Sequence, residues 1–288
     1  MRGIVLAGGV GSRLWPVTLA TSKQLLPIFD KPLIYYPLTT LIESGIRDIL
    51  LISAPVDIER FQTLLGDGSQ FGVNLEYRVQ PTPDGLAQAF IIGNSFIGNE
   101  GCALILGDNL FHGIEFSESL KNMTVQSGAK VFAYEVTNPS DFGIVEFDSE
   151  GNAISIEEKP TKAKSSFAIP GLYFYDNDVV EIAKGIMPSA RGELEITSIN
   201  NIYLNRRTLK VQIIQEGTKW LDTGTFHAML EASNYVFDTE RRLGIRIGSP
   251  EEAAWRNGWL TDDEFERSAI RFKNSGYGEY FIGLIENR

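Results

Sequence analysis

Cysteine is almost absent. The 288 residues contain one, Cys102, so no intrachain disulfide framework can form, and the apolar run at 102–106 around it reads as core. Histidine is nearly as scarce: His112 and His227 are too few for histidine-rich zinc sites and offer little for a Ser-His-Asp triad. No run approaches the ~18 apolar residues that a membrane span needs. Residues 3–10 resemble a signal-peptide core, but Arg13 follows at once and no small-x-small cleavage site appears, so a buried first strand and a cytoplasmic location are expected. Positive charge is outweighed, with 26 Lys and Arg against 37 Asp and Glu and a net charge of −11. That balance argues against a general nucleic-acid or anionic-membrane binder. The start of the chain is the exception: residues 1–29 contain Arg2, Arg13 and Lys23 and no acidic residue, which suggests a focused anion site. Internal repeats and low-complexity stretches are also missing.

What is present is core-forming material, 43% hydrophobic and 22% charged, enough for one large α/β domain or two small ones. Strand patterns at residues 2–6, 48–52, 74–79 and 102–106 alternate with helical patterns at 33–44, 56–65 and 86–94. Such alternation predicts an α/β fold with a mostly parallel central sheet flanked by helices. Residues 129–136 read as a further strand, and 143–147 with 154–158 as a hairpin around the turn at 148–152. Strands at 167–175 and 210–214 and helices at 177–186 and 195–206 complete the first part. Beyond Thr225 the chain becomes charged and helical, with breaks at Ser249-Pro250 and Gly276. The expected organisation is a catalytic domain over 1–225 and a C-terminal helical appendage over 226–288.

Gly8-Gly9-Val10-Gly11-Ser12-Arg13-Leu14 directly follows the first strand. Glycines let a backbone approach a ligand closely and turn successive N–H groups toward one anion, while Arg13 and Lys23 supply charge. The dinucleotide pattern fails because Leu14 occupies its third glycine position, and no Gly-Lys-Ser/Thr makes a P-loop. Asp108 follows an apolar strand through Gly107, where α/β sheets place ligand chemistry, and Asp222 sits in a short Trp-Leu-Asp-Thr-Gly turn. Taken alone, either aspartate reads more readily as a turn or cap residue than as a metal ligand. An isolated Glu158-Lys159 reads equally as a solvated pair. Gln80 carries one donor and one acceptor, which fits the O4 and N3–H edge of thymine or uracil, but by itself it is also an ordinary polar strand end. Asp141-Phe142-Gly143 echoes a kinase motif without the His-Arg-Asp loop that would give it meaning.

These segments together resemble the sugar-1-phosphate nucleotidylyltransferases, whose first motif is close to G-G-x-G-[TS]-R-L-x-P-x-T-x(4)-K. The likeness continues through Ser22–Pro27, Asp30-Lys31-Pro32, Gln80-Pro81, Asp84–Ala89, Leu106–Asn109, Glu157–Pro160, Gly171–Asp176, Ala190–Thr197 and Trp220–Gly224, nearly the whole chain. Gln24-Leu25 and Ala87-Gln88 set it apart from bacterial UDP-glucose pyrophosphorylases, which usually carry Glu-Met and Gly-His there. The resemblance implies a Rossmann-like nucleotidyltransferase fold and the joining of dTTP to α-D-glucose 1-phosphate with release of pyrophosphate. UTP or another hexose 1-phosphate, or a silent regulatory subunit, are the alternatives. It further implies Mg2+ on Asp108 and Asp222, with Arg13, Lys23, Asp108, Lys159 and Asp222 catalytic. Leu6, Gly8, Gly9, Gly11, Ser12, Arg13, Lys23, Gln24, Gln80, Gly85 and Asp108 are the implied nucleotide contacts. The implied sugar-phosphate side is Asn109, Gly143, Glu158, Lys159, Ile169, Tyr173 and Arg191. Relatives of this length imply a homotetramer supplying deoxysugar synthesis, with a second nucleotide site on the C-terminal helices. There Glu216 replaces an expected cation and Ala253 stands near an expected larger aliphatic residue, while Arg256 remains as a compensating cation.

Overall fold

A computed structural model describes residues 1–121 and 123–287. Its centre is the strand Arg2–Ala7, whose residues from Ile4 to Ala7 are all buried, as expected for a strand covered on both faces. Asp48–Ser53 lies parallel to it on one side with Asn74–Val79 beyond, and Cys102–Leu106 lies parallel on the other. The ten-stranded sheet then turns antiparallel through Leu172–Tyr175, Ala129–Glu135, Phe167–Ala168 and the hairpin Gly143–Phe147 with Ala153–Glu158. Leu209–Ile213 joins Ala129–Glu135 in parallel. The expected α/β architecture, with its mostly parallel centre, is thus what the chain forms.

Helix Tyr35–Glu43 covers one face of the sheet, and helices Gln88–Ile97, Val179–Gly185 and Ile196–Asn205 cover the other. Cys102 is fully buried in this second layer, and burial pushes its thiol up, as a core position requires. The single strand expected over 167–175 is two. Pro170 has no N–H to give to a ladder, and the Gly171 N–H donates instead to Asn109 Oδ1 at 3.1 Å. Helix Ile114–Leu120, a separate ladder of Asn109–His112 against Lys219–Asp222 and a short one of Pro27–Ile28 against Lys31–Pro32 lie outside the expected elements.

Thr225 caps helix Phe226–Leu243, accepting from the Ala228 N–H at 3.2 Å, and three further helices follow, Pro250–Arg256, Asp262–Arg271 and Gly276–Glu286. Their apolar residues do not form a separate core. Ala254, Leu260, Phe265 and Phe281 belong to the same buried cluster as Tyr35, Leu38 and Phe71. A buried charge network adds to this seam. Lys31 sits between Asp30 at 2.5 Å and Glu240 at 3.1 Å, and Glu240 also receives Arg246 at 2.5 Å and the Ile247 N–H at 2.8 Å. Removing one member of such a network typically costs ~3–5 kcal/mol, because an uncompensated charge stays buried.

Glu251, in helix Pro250–Arg256, is buried and accepts a hydrogen bond from Tyr277 Oη at 2.6 Å. Burial pushes its carboxyl up to about 7 in spite of that bond. The folded chain therefore keeps this proton to a higher pH than the unfolded chain does. The associated stability is full below the ordinary carboxylate range and is lost as pH rises through about 7. Thermal unfolding followed between pH 4 and pH 8 should show stability falling over that window. Glu251→Gln should flatten the fall and add about 1–3 kcal/mol near neutral pH. Identical slopes for the two proteins would contradict the assignment. Glu43, pushed up to about 7 by its own burial, contributes a slope of the same sign in both.

Candidate active site

Arg2–Ala7 and Cys102–Leu106 run in register, Leu6 opposite Leu106, and the chain continues from the first of them to Asp48–Ser53 on its other side. Parallel sheets open a crevice at such a point. The Gly107 N–H donates to the Leu6 carbonyl at 2.9 Å, which fixes the glycine loop beside Asp108. Gly11 takes φ 64°, its carbonyl accepts from Thr18 Oγ1 at 2.7 Å, and the short turn Ser12–Leu14 leaves Arg13 exposed with Leu14 buried. Gly8 is fixed sterically: any Cβ there would overlap the amide oxygen of Gln80.

Asp108 and Asp222 converge although 114 positions separate them. In the two-stranded ladder Asp222 pairs with Asn109, and Thr223 then gives both its N–H, at 3.2 Å, and its Oγ1, at 2.9 Å, to the Asp108 carbonyl. Lys23 forms an ion pair with Asp108. Burial alone would raise the Asp108 carboxyl, but the Lys23 ammonium and hydrogen bonds from Lys23 and Asn109 hold it below the usual range. Asp222 fares differently. Burial, and then the Asp108 charge, push it up to about 6 against Lys23 and Arg13, and its Oδ1 is buried with no partner among the described residues. Two adjacent carboxylates, one under-compensated, form a donor set suited to a hard divalent cation, which needs few protein ligands and completes its shell with phosphate and water.

On the side of the loop toward Asn74–Val79, Gln80 is buried at the end of that strand, its N–H on the Ser53 carbonyl at 2.8 Å and its Nε2 on Gln88 Oε1 at 2.7 Å. Gly85, at φ 111°, passes so close to Leu194 that no side chain would fit. Gln24 is held by Ser22 Oγ at 2.6 Å beneath the loop.

On the other side Glu158 ends Ala153–Glu158. Its Oε2 accepts from Thr197 Oγ1 at 2.5 Å, and a Cβ added to Gly143 would lie 3.1 Å from the same oxygen. Lys159 is exposed and has φ 43°, a left-handed conformation that a side-chain-bearing residue adopts at a cost. The Phe142 carbonyl holds it there by accepting its N–H at 2.9 Å. Arg191 pairs with Glu193 at 2.5 Å, Glu195 at 3.4 Å and Glu158 at 3.8 Å. The Ile169 N–H reaches the Gly143 carbonyl at 2.8 Å. Tyr173 is buried between the two halves. Burial first, then the Glu158, Asp108 and Asp222 carboxylates, push its phenol up.

Asn109, an implied sugar-side contact, lies next to Asp108 at the start of the strand Asn109–His112. It is buried, with Oδ1 accepting from Trp220 Nε1 at 2.6 Å and Gly171 N–H at 3.1 Å, and Nδ2 donating to Asp108 at 3.0 Å. Its visible work is to brace Asp108. Thr223, Trp220, Thr197 and Gln88 went unassigned from sequence. The signal available was their place inside motifs whose neighbours drew the attention. A cavity of about 520 Å3, apart from these groups, lies between helices Tyr35–Glu43, Ile114–Leu120 and Pro250–Arg256. Ala253 and Arg256 line it, and Arg256 pairs with Glu252 at 2.7 Å. Glu216 is exposed and is not among its lining residues.

Residues 2–239 match the family model described as nucleotidyl transferase. The chain is 56% identical over 286 residues to the glucose-1-phosphate thymidylyltransferase of Mycolicibacterium smegmatis, covering 99% of each. It is 54% identical to that of Neisseria meningitidis, covering 99% of this chain and all of the other. Among solved structures, a Bacillus anthracis protein provisionally named a glucose-1-phosphate thymidylyltransferase, crystallised with a sucrose, is 39% identical. It superposes with a TM-score of 0.77 over 88% of this chain and 99% of its own. A UDP-glucose pyrophosphorylase in complex with UDP-glucose is 26% identical, with a TM-score of 0.72 over 83% and 98%. The chain belongs to the nucleotidyl transferase family, on its glucose-1-phosphate thymidylyltransferase branch.

Proposed function

We propose that the chain forms dTDP-glucose and pyrophosphate from dTTP and α-D-glucose 1-phosphate. The observation that carries the reading is the meeting of Lys23, Asp108 and Asp222 beside the glycine loop. A phosphate oxygen of the sugar attacks the α-phosphorus in line as the bond to the bridging oxygen breaks and pyrophosphate leaves. The nucleophile is already an anion, so little proton transfer is needed, and positioning with charge neutralisation suffices. That requirement suits a chain with two histidines. Loop N–H groups and Arg13 hold the departing pyrophosphate, and Lys23 acts from the nucleotide side. Lys159 and Arg191 hold the attacking phosphate, and Glu158 accepts from sugar hydroxyls. Gln80 and Gly85 receive the base. Asp108 and Asp222 would hold Mg2+, which when bound supplies the positive charge that lets two anionic substrates approach. The unpartnered Asp222 Oδ1 supports that assignment. We further infer residues 1–225 as the catalytic unit, 226–288 as a helical appendage, and a cytoplasmic homotetramer serving deoxysugar synthesis. Among the described residues no helix is long and apolar enough to cross a membrane.

A pyrophosphate-release assay over a matrix of nucleotides and sugar phosphates tests the reaction. The pair dTTP and glucose 1-phosphate should be best. UTP, lacking one methyl worth ~0.8 kcal/mol of burial, should be a detectable but poorer substrate, and purine nucleotides very poor. Equal rates with ATP and dTTP would refute the base site. Asp108→Asn and Asp222→Asn should each lower turnover by about 10²-fold or more, the usual loss for one preorganised electrostatic contact, with the fold intact by circular dichroism. Near-wild-type activity of both at limiting Mg2+ would remove them from the metal site. A last expectation concerns feedback. With a carboxylate at Glu216 where a diphosphate would meet a cation, dTDP-rhamnose should inhibit weakly or not at all, and Glu216→Arg should tighten it. Tight inhibition of the unaltered enzyme would refute this.

A further inference from the structure

The buried amide of Gln80 is the last member of a directed chain of hydrogen bonds. Asp84 Oδ2 receives Thr82 Oγ1 at 2.6 Å and Gln88 Nε2 at 2.9 Å, and Gln88 Oε1 receives Gln80 Nε2 at 2.7 Å. A carboxylate only accepts, so the Gln88 nitrogen must face Asp84 and its oxygen must face Gln80. The Gln80 nitrogen must then face Gln88. This leaves Gln80 Oε1 against Gly8, at the glycine loop, where a Cβ would overlap it. The order of oxygen and nitrogen is fixed by the one acceptor-only group at the far end, not by Gln80 itself.

That order has a consequence for recognition. Gln80 offers an acceptor oxygen and the remaining N–H of its amide, which complements a base whose ring nitrogen donates and whose neighbouring carbonyl accepts. Cytosine presents the reverse, a ring acceptor beside an amino donor. To serve cytosine the Gln80 amide would have to turn over and set its oxygen against Gln88 Oε1. Relieving that clash would turn Gln88 as well and set its oxygen against the Asp84 carboxylate. The first reversal exchanges a hydrogen bond for two facing acceptors where Gln80 is buried, and the second sets two acceptors face to face at the more exposed Gln88–Asp84 contact. We propose that Gln88 and Asp84 are positioning residues that hold Gln80 in the orientation for an imide pyrimidine and thereby exclude dCTP. The proposal rests on the reading that the base sits at Gln80.

The test is the ratio of kcat/KM for dTTP to that for dCTP in the full-length enzyme. Gln88→Met keeps the length but gives Gln80 no comparable acceptor, and should lower the ratio by about tenfold or more, chiefly through KM. Asp84→Asn should lower it less, because a neutral amide tolerates either order. The double variant Asp84→Asn/Gln88→Glu rebuilds the polarity with the charge moved one place along, so it should bring the ratio back toward the wild-type value. That recovery is one that a merely structural role for these residues would not produce. It also keeps the test decisive where Gln88→Met fails to fold. A ratio unchanged in Gln88→Met while Gln80→Met abolishes discrimination would overturn the relay and leave the base site standing. A ratio unchanged in Gln80→Met as well would overturn both.

Discussion

Two carboxylates that repel one another are held side by side at this site, and the rest of it depends on that forced neighbourhood. The restraint is made from backbone. The ladder of Asn109–His112 with Lys219–Asp222 sets the register, and Thr223 closes it with two hydrogen bonds to one carbonyl of Asp108. Side-chain repulsion cannot separate Asp108 from Asp222 without breaking those bonds and the bracing of Asn109 by Trp220 and Gly171. Lys23 neutralises one of the two acids and leaves the other short of positive charge. The site is thus electrostatically incomplete by construction: Asp222 keeps a buried carboxyl oxygen with no partner among the described residues.

A second economy joins the two sides of the site. The Leu194 N–H donates to the Asp84 carbonyl at 2.7 Å, and the Leu194 carbonyl accepts from the Ala87 N–H at 3.1 Å. One residue of the segment that carries Arg191, Glu193 and Glu195 is therefore laced into the loop that carries Gly85. The absence of a side chain at Gly85 permits that close approach. The segment of Gly85 and the segment of Arg191 are parts of one backbone assembly, so a shift in either is felt in the other.

Much of this was legible in the chain itself. Uninterrupted apolar runs such as residues 102–106 mark strands covered on both faces, and the glycine loop with Arg13 marks an anion site before any fold is known. What sequence could not give was partnership. Nothing local to Asp222 distinguishes it from a turn residue, since its neighbour in space comes from a strand 114 positions earlier. Asn109 is implied as a sugar-phosphate contact by resemblance alone. Its buried amide also meets Trp220, Gly171 and Asp108, a bracing visible only when the second strand is in place. The break at Pro170 was written in the sequence, but its cause, an N–H claimed by a distant side chain, was not.

The buried network around Lys31 ties the finished site to the order in which the chain is made. Lys31 adjoins the segment whose backbone folds back on Gln24 and Leu26, through the Ile34 and Leu33 N–H groups at 2.9 Å each. Its buried counter-charge, Glu240, lies 209 residues further on. On a ribosome the glycine loop and Lys23 emerge first, yet Lys31 has only the partly exposed Asp30 as counter-charge until Glu240, in helix Phe226–Leu243, has left the exit tunnel. The glycine loop is thus in the first part synthesised, and a nascent chain stalled short of Glu240 would carry Lys31 without its buried counter-charge.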